Sequence, residues 1–360
     1  MKKYIYLDDE DNATIQPIID ELNRSERIGV SRAPLDKNES LDVLFGRLKR
    51  MKCDGIIIDY KLDGGGPYSL CCNANTIAQY LRDLADNGEY SSIPIVLCST
   101  DENLQKQYSN GYTSIDLYDY QFTKDISIEY DREAAMLESL AEGYEMIRNY
   151  RHDVQKIVNR DITNLDERPF RPFFEEQISV QKCADVIIKD LFQFSGILIS
   201  EEILCARLGI AKSDDYLRVL AMFNMAKYTG AFCEKGDYYW MDIVDEMFYS
   251  MFKTNLATLD STKKIEMFKN TLVGASIIEA QGDEYNFSKR FWTCCVVSHV
   301  ALDPMEGYRL DTIPVLKPWQ EPQYVSFSAI SEGNVNNNNL MISDYERYKQ
   351  KVEYLKNVGK

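Results

Sequence analysis

Histidine is almost missing from this 360-residue chain, which has two, His152 and His299. The nine cysteines are scattered (Cys53, Cys98, Cys183, Cys205, Cys233) or adjacent (Cys71–Cys72, Cys294–Cys295), and no CxxC occurs. Without imidazole or paired thiols at ligand spacing, a structural zinc site is not expected. The cysteines read instead as small buried hydrophobes. Basic charge is also short: 41 Lys and Arg stand against 57 Asp and Glu, a net −16. Residues 1–130 carry half of that, with 14 basic and 22 acidic side chains. Nonspecific nucleic-acid binding draws on a basic surface, so this balance argues against it. No apolar run is long enough to span a bilayer. The opening MKKYIYLDDEDN meets acids after too few apolar residues for a signal peptide, so a cytoplasmic protein with no membrane segment is expected.

What the chain does have is apolar material, 45% of residues, enough for packed cores over two or three domains. Over the first 125 residues, short apolar runs alternate with helically spaced stretches. The runs are Tyr4–Leu7, Ile28–Val30, Gly55–Ile58, Ile95–Cys98 and Tyr120–Thr123; the stretches lie near 13–23, 41–51 and 76–84. Gly55-Ile56-Ile57-Ile58 is apolar throughout, as a parallel strand covered on both faces would be. The pattern predicts an α/β fold, a doubly wound five-stranded parallel sheet, followed by a helix-rich α+β C-terminal region. Four segments are expected: a first domain at 1–130, a helical connector and linker at 131–175 broken by Pro169 and Pro172, a helical module at 176–255, and a mixed region at 256–360. In the third segment, Ser200 precedes a helix start, and Thr229–Trp240 reads as a hairpin turning at Lys235-Gly236, which together suggest a winged-helix-like module. Trp292–Val300 and Tyr324–Phe327 read as strands, and Tyr345–Leu355 as a charged helix.

In an open parallel sheet, chemistry gathers at the carboxyl ends of the strands. There the sequence places Asp8-Asp9 after the first run, Asp59 after the third, Ser99-Thr100 after the fourth and Lys124 after the fifth. Three converging carboxylates repel one another unless a divalent cation joins them, and hard oxygen ligands suit Mg²⁺. A carboxylate so held can act as a nucleophile toward a phosphoryl group.

The segments YIYLDDED, GIIIDY, IPIVLCST and FTKD resemble, in order and spacing, the signature segments of response-regulator receiver domains of two-component systems. The resemblance covers the first third of the chain. It implies a receiver (flavodoxin-like) fold with Asp8, Asp9 and Asp59 as the Mg²⁺ ligands and Asp59 as the phosphoacceptor. It further implies Ser99 as the switch hydroxyl, in preference to Thr100, and Lys124 as the lysine that pairs with the phosphorylated product. The implied function is bacterial phosphorelay signalling in the cytoplasm: a partner histidine kinase, or a histidine-kinase-type ATPase, phosphorylates Asp59 and so controls a C-terminal module that engages a protein effector. A homodimer is compatible with this reading. The sequence departs from the family pattern where Asp125 replaces the usual proline after the lysine, where Gln121 (beside Tyr120) holds the usual aromatic position, and where the loop after Asp59 carries Gly64-Gly65-Gly66. That glycine run matches neither a Walker A loop nor a GxGxxG fingerprint.

Alternatives stay open: a degenerate receiver acting as a constitutive scaffold, a DNA-binding effector using a helix at Ser200–Gly209, or an enzymatic effector. For DNA the cation supply is thin, Arg207, Lys212, Arg218 and Lys227. For an enzyme the one nucleophile to nominate is Cys295, four residues from His299 and so on the same face if the segment is a strand, with Cys294 and Asp303 nearby. The Trp292–Val300 stretch reads more simply as buried core. Beyond phosphoryl acceptance and autodephosphorylation, no enzymatic activity is expected.

Overall fold

The computed structural model describes residues 1–33, 35–37, 39–62, 67–70, 72–100, 117–124, 129–311 and 315–358. Gly64-Gly65-Gly66, Cys71, Asp125 and Pro314 lie outside the described residues. The chain forms two compact units: Met1–Ile188 with Thr229–Lys235, and Lys189–Tyr228 with Gly236–Lys360.

The first unit is built on a five-stranded, all-parallel sheet of β1 (Lys2–Leu7), β2 (Ile28–Arg32), β3 (Gly55–Asp59), β4 (Ile95–Ser99) and β5 (Tyr120–Thr123), in the order β2-β1-β3-β4-β5. Helices α1 (Asn12–Arg24), α2 (Leu41–Met51), α3 (Ala74–Asp86) and α4 (Tyr130–Tyr150) cover it. Both faces are buried, which is why β3 and β4 read as continuous apolar runs. On one face Ile5, Leu7, Ile56, Ile58, Ile95 and Leu97 pack with Leu44 and Phe45 of α2 and Ile77 and Leu81 of α3. The alternate residues Tyr4, Tyr6, Ile57 and Val96 are equally buried. On that side the Tyr4 hydroxyl donates to the Leu137 carbonyl of α4 at 2.6 Å. Asp11 and Asn73 cap α1 and α3, accepting from the Thr14 and Thr76 amides.

Strand order reverses between β1 and β3, since β1 leads outward to β2 and β3 leads the other way to β4 and β5. The crevice at which such sheets bind ligands therefore falls between the carboxyl ends of β1 and β3, where Asp8, Asp9 and Asp59 lie.

Thr229–Lys235 belongs to the first unit although its flanks belong to the second. Phe232 is buried, and its ring fills the space beside Gly143 of α4, where an added Cβ would come within 2.2 Å of it. Glycine is needed there for close approach rather than for its backbone freedom. This segment is not itself a strand; the antiparallel contact with Tyr238–Trp240 comes just before it, as a single bridge Lys227–Tyr239 with the Tyr228 amide donating to the Tyr238 carbonyl at 2.8 Å. The strand partner of Tyr238–Trp240 is Leu198–Ser200, also antiparallel. The tyrosine and tryptophan pattern marked a strand and part of its pairing but not its main partner.

Other local expectations also change. Pro169 and Pro172 sit in a 3-10 helix, Arg168–Phe174, that buries Phe170 and Phe173, so they anchor structure rather than link it. The Trp292–Val300 run holds only a two-residue strand, Thr293–Cys294, paired with Ala301–Leu302. Tyr324–Val325 is a strand, but Phe327 opens a short helix capped by Ser326. Ser200 does cap the helix Glu201–Leu208, and Gly209 ends it in a left-handed conformation. The second unit also contains helices Tyr216–Ala221, Met241–Phe252, Ser261–Thr271 and Ile342–Val358. Among the described residues no helix is long and apolar enough to cross a membrane.

Candidate functional site

The five sequence-nominated residues all lie along one edge of the first unit's sheet. β1 ends at Leu7, and Asp8 and Asp9 follow, both buried. Asp59 is the last residue of β3 and Ser99 the last of β4. Lys124 follows β5 directly, its amide donating to the Ser99 carbonyl at 2.8 Å. One oxygen from each of Asp8, Asp9 and Asp59 lies within 4.8 Å of the other two. Segments fifty residues apart thus converge at the end of a parallel sheet.

The lysine bridges the acids. Lys124 Nζ lies 2.6 Å from Asp8 Oδ2 and 2.5 Å from Asp59 Oδ1. Asp59 Oδ2 accepts the Lys61 amide at 2.9 Å and Asp8 Oδ1 the Glu10 amide at 3.0 Å. Burial pushes the Asp59 carboxyl up to about 6; Lys124 opposes that rise and Asp8 adds to it. Burial alone would lower the Lys124 ammonium, but Asp59 and Asp8 hold it well above the ordinary lysine range. One cation for three carboxylates leaves negative charge uncompensated, the condition in which oxygen ligands take up a divalent metal.

The Ser99 hydroxyl is fully buried and has no hydrogen-bond partner among the described residues. Its position beside Lys124 places a hydroxyl, able to donate and to accept, at the site. Thr100, the other candidate hydroxyl, is exposed. The acidic triad and this orphaned donor fit a divalent cation with an anionic oxygen ligand. Tyr120 and Phe122 stack, with ring centroids 6.4 Å apart.

Sequence reasoning missed several supports of the site. The Ser69 hydroxyl, on the loop after β3, donates to Asp9 Oδ2 at 2.8 Å. Arg32, the last residue of β2, donates to the Asp8 carbonyl at 3.1 Å and also to the Glu10 carbonyl. Arginine at a strand end beside the acidic turn was the visible signal for the second; a serine in a loop ten residues past Asp59 gives none.

The rival sites have a different local structure from the one expected, although Cys295 and His299 still line one cavity. Cys295 follows the strand Thr293–Cys294, and Cys295–Val300 folds as a tight turn closed by Cys295 N to Val300 O and His299 N to Cys295 O, each 2.9 Å. Cys295 and His299 therefore do not share a strand face. The Cys295 thiol packs with Leu302, Tyr308 and Val325, whereas Cys294 packs with Ala206, Ala280 and Phe291. The His299 imidazole pairs with Glu202, Nδ1 to Oε1 2.9 Å. Burial raises the Cys295 thiol, but hydrogen bonds from Ser298, Val297 and Ser326 outweigh it and leave the thiol below its usual range. Asp303 accepts from the Met305 amide and the Ser288 hydroxyl, which fixes a turn. On the helix considered for DNA, Arg207 is buried against Trp292 and Glu321. Lys212, Arg218 and Lys227 pair with Glu201, Asp215 and Asp237.

Compared with known proteins, the chain matches no protein-family model and no curated protein. The fold and the acidic triad, an all-parallel five-stranded sheet with Asp8, Asp9 and Asp59 at its carboxyl edge, are compatible with a receiver-like domain able to hold a metal ion.

Proposed function

We propose that the first unit is a receiver in which Asp59 accepts a phosphoryl group from a phosphohistidine on a partner kinase, and that this controls the C-terminal unit's engagement of a protein effector. The observation that carries the reading is the convergence of Asp8, Asp9 and Asp59 on a single bridging lysine at the strand-order reversal. In the reaction an Asp59 carboxylate oxygen bonds to phosphorus as the bond to the donor nitrogen breaks, and the nitrogen leaves with its electron pair and is protonated. Mg²⁺, held by Asp8, Asp9 and Asp59, would supply positive charge to the transferring oxygens. Lys124, freed from Asp59 by phosphorylation, pairs with the phosphoryl group, and the Ser99 hydroxyl bonds one of its oxygens. Transfer of the carboxylate's charge to the larger phosphoryl group rearranges both partners, which is the local event a signalling domain needs.

The donor is a separate protein, since the chain's glycine-rich loop has no phosphate-cradling motif. A DNA-binding output is disfavoured by the paired state of Arg207, Lys212, Arg218 and Lys227. The deciding experiment is incubation with acetyl phosphate or beryllofluoride and Mg²⁺, read by intact mass and thermal shift, on the native chain and Asp59→Asn. A Mg²⁺-dependent adduct lost in the variant supports the reading. No adduct on native protein leaves a degenerate receiver that serves as a constitutive scaffold.

A further inference from the structure

Successive residues of a strand point to opposite faces, so two adjacent aspartates can serve one cluster only if the backbone leaves the strand between them. β1 stops at Leu7, and the turn that follows brings both carboxylates to Asp59. A turn of this kind exposes carbonyls that need partners. All three are accounted for. The guanidinium of Arg32 donates through one nitrogen, Nη2, to the Asp8 and Glu10 carbonyls on either side, and the Tyr68 amide donates to the Asp9 carbonyl at 3.2 Å. The two donor residues are themselves coupled, because the Arg32 guanidinium lies 5.0 Å over the Tyr68 ring. Nη1 of Arg32 reaches Asn12 at the start of α1. Ser69, next to Tyr68, holds the Asp9 carboxylate.

We propose that Arg32, braced by Tyr68, is a positioning residue that sets the Asp8–Asp9 turn and thereby the site's affinity for a divalent cation. Arg32 touches neither carboxylate group of the pair in this arrangement; it acts through their backbone. This rests on the reading of the acidic triad as a cation site. Arg32 bridges the two carbonyls through Nη2 while Nη1 reaches Asn12 and the guanidinium plane covers the Tyr68 ring; an ammonium, with one nitrogen, could bridge the carbonyls but not also hold Asn12 and the ring, so the full set of contacts is specific to arginine.

The test uses the full chain, with Mg²⁺ affinity measured by titration calorimetry for native protein, Arg32→Met, Arg32→Lys and Tyr68→Leu. Residues that orient metal ligands typically change affinity by about 10–100-fold when lost, so Arg32→Met is expected to weaken Mg²⁺ binding about tenfold, with Arg32→Lys restoring little of it. Tyr68→Leu is expected to weaken it severalfold. Urea unfolding without Mg²⁺ is run beside it. Lowered stability with unchanged Mg²⁺ affinity would mean a merely structural role and would overturn the proposal, as would full rescue by lysine. If Arg32→Met does not fold, Arg32→Lys and Tyr68→Leu decide by the same criterion. Native protein that binds no Mg²⁺ would overturn both this proposal and the cation site. Native protein that binds Mg²⁺ but takes no phosphoryl group would overturn the phosphoacceptor reading while leaving Arg32 to be judged on affinity alone.

Discussion

The first unit buries charge at both ends of its sheet, and the two ends are handled differently. At the amino edge, Asp119 precedes β5 and its carboxylate takes three bonds: Arg82 Nη2 and the Ile95 amide at 2.8 Å, and the Tyr144 hydroxyl at 2.6 Å. Arg82 spends its remaining donors on the Ile93 and Leu117 carbonyls. That cluster pairs one acid with one base and ties α3, β4, β5 and α4 together. At the carboxyl edge, three acids face one lysine, and the Ser99 hydroxyl has no partner among the described residues. The contrast is between a charge paired within the fold and a cluster of acids that could hold a metal ion. Both are costly to desolvate, but only the first is balanced within the protein.

The largest effect should come from breaking the balanced end. Asp119→Ala strands the Arg82 guanidinium and is expected to destabilise by about 3–5 kcal/mol in urea unfolding. A loss below about 1 kcal/mol would remove the distinction between the two edges. Next in size is ligand-linked stabilisation at the other edge. At a Mg²⁺ concentration about a hundred times the dissociation constant, native protein should gain about 2.7 kcal/mol, and Asp9→Asn should lose most of that gain. Asp119→Ala, destabilised as it is, should keep the same Mg²⁺ increment if it folds.

The second unit offers an independent measure of unbalanced burial. Lys264 is almost wholly buried, with its Nζ on the Arg207 carbonyl at 2.8 Å. Burial lowers its ammonium to about 8, Asp260 opposing and Arg207 assisting. Its folded value lies below the unfolded one, so the folded state releases the proton first. Stability from this group therefore increases as pH rises from about 8 toward the unfolded lysine value, and is lost as pH falls back through about 8. Native stability relative to Lys264→Met, measured by urea unfolding across that window, should improve by roughly 2 kcal/mol; a flat difference would sink the argument. The smallest effect is expected for Asp59→Asn without Mg²⁺. It removes like-charge repulsion with Asp8 as well as attraction to Lys124, so stability should shift by less than about 1 kcal/mol in either direction even though the proposed phosphoacceptor is removed. A large destabilisation would place Asp59 with Asp119, as a structural acid.

Much of the site was legible because each member sits at the end of a run that declares itself. Gly55–Ile58 and Ile95–Cys98 are apolar on both faces, and the polar residue that terminates each run marks a strand end. The Asp119 network was not legible and the Arg32 brace only hinted at by an arginine at a strand end, since their partners lie 24 to 37 and 22 to 24 residues away and nothing in the spacing selects them. The expectation that Cys295 and His299 share a strand face failed for a related reason. Four-residue spacing implied one face only if the strand continued, and the turn at Cys295 turned the imidazole to Glu202.

Sequence alone determined that the first third alternates strands and helices and that acids, a hydroxyl and a lysine terminate successive strands. Apolar periodicity and strand termination are local properties, written in neighbouring residues. The tertiary structure alone decided that Tyr238–Trp240 pairs with Leu198–Ser200, that Thr229–Lys235 packs into the first unit, and that Arg32 and Tyr68 bond the carbonyls around Asp9. Those are choices among distant partners of similar local character, settled by which arrangement buries the apolar surface while leaving the fewest backbone groups unbonded.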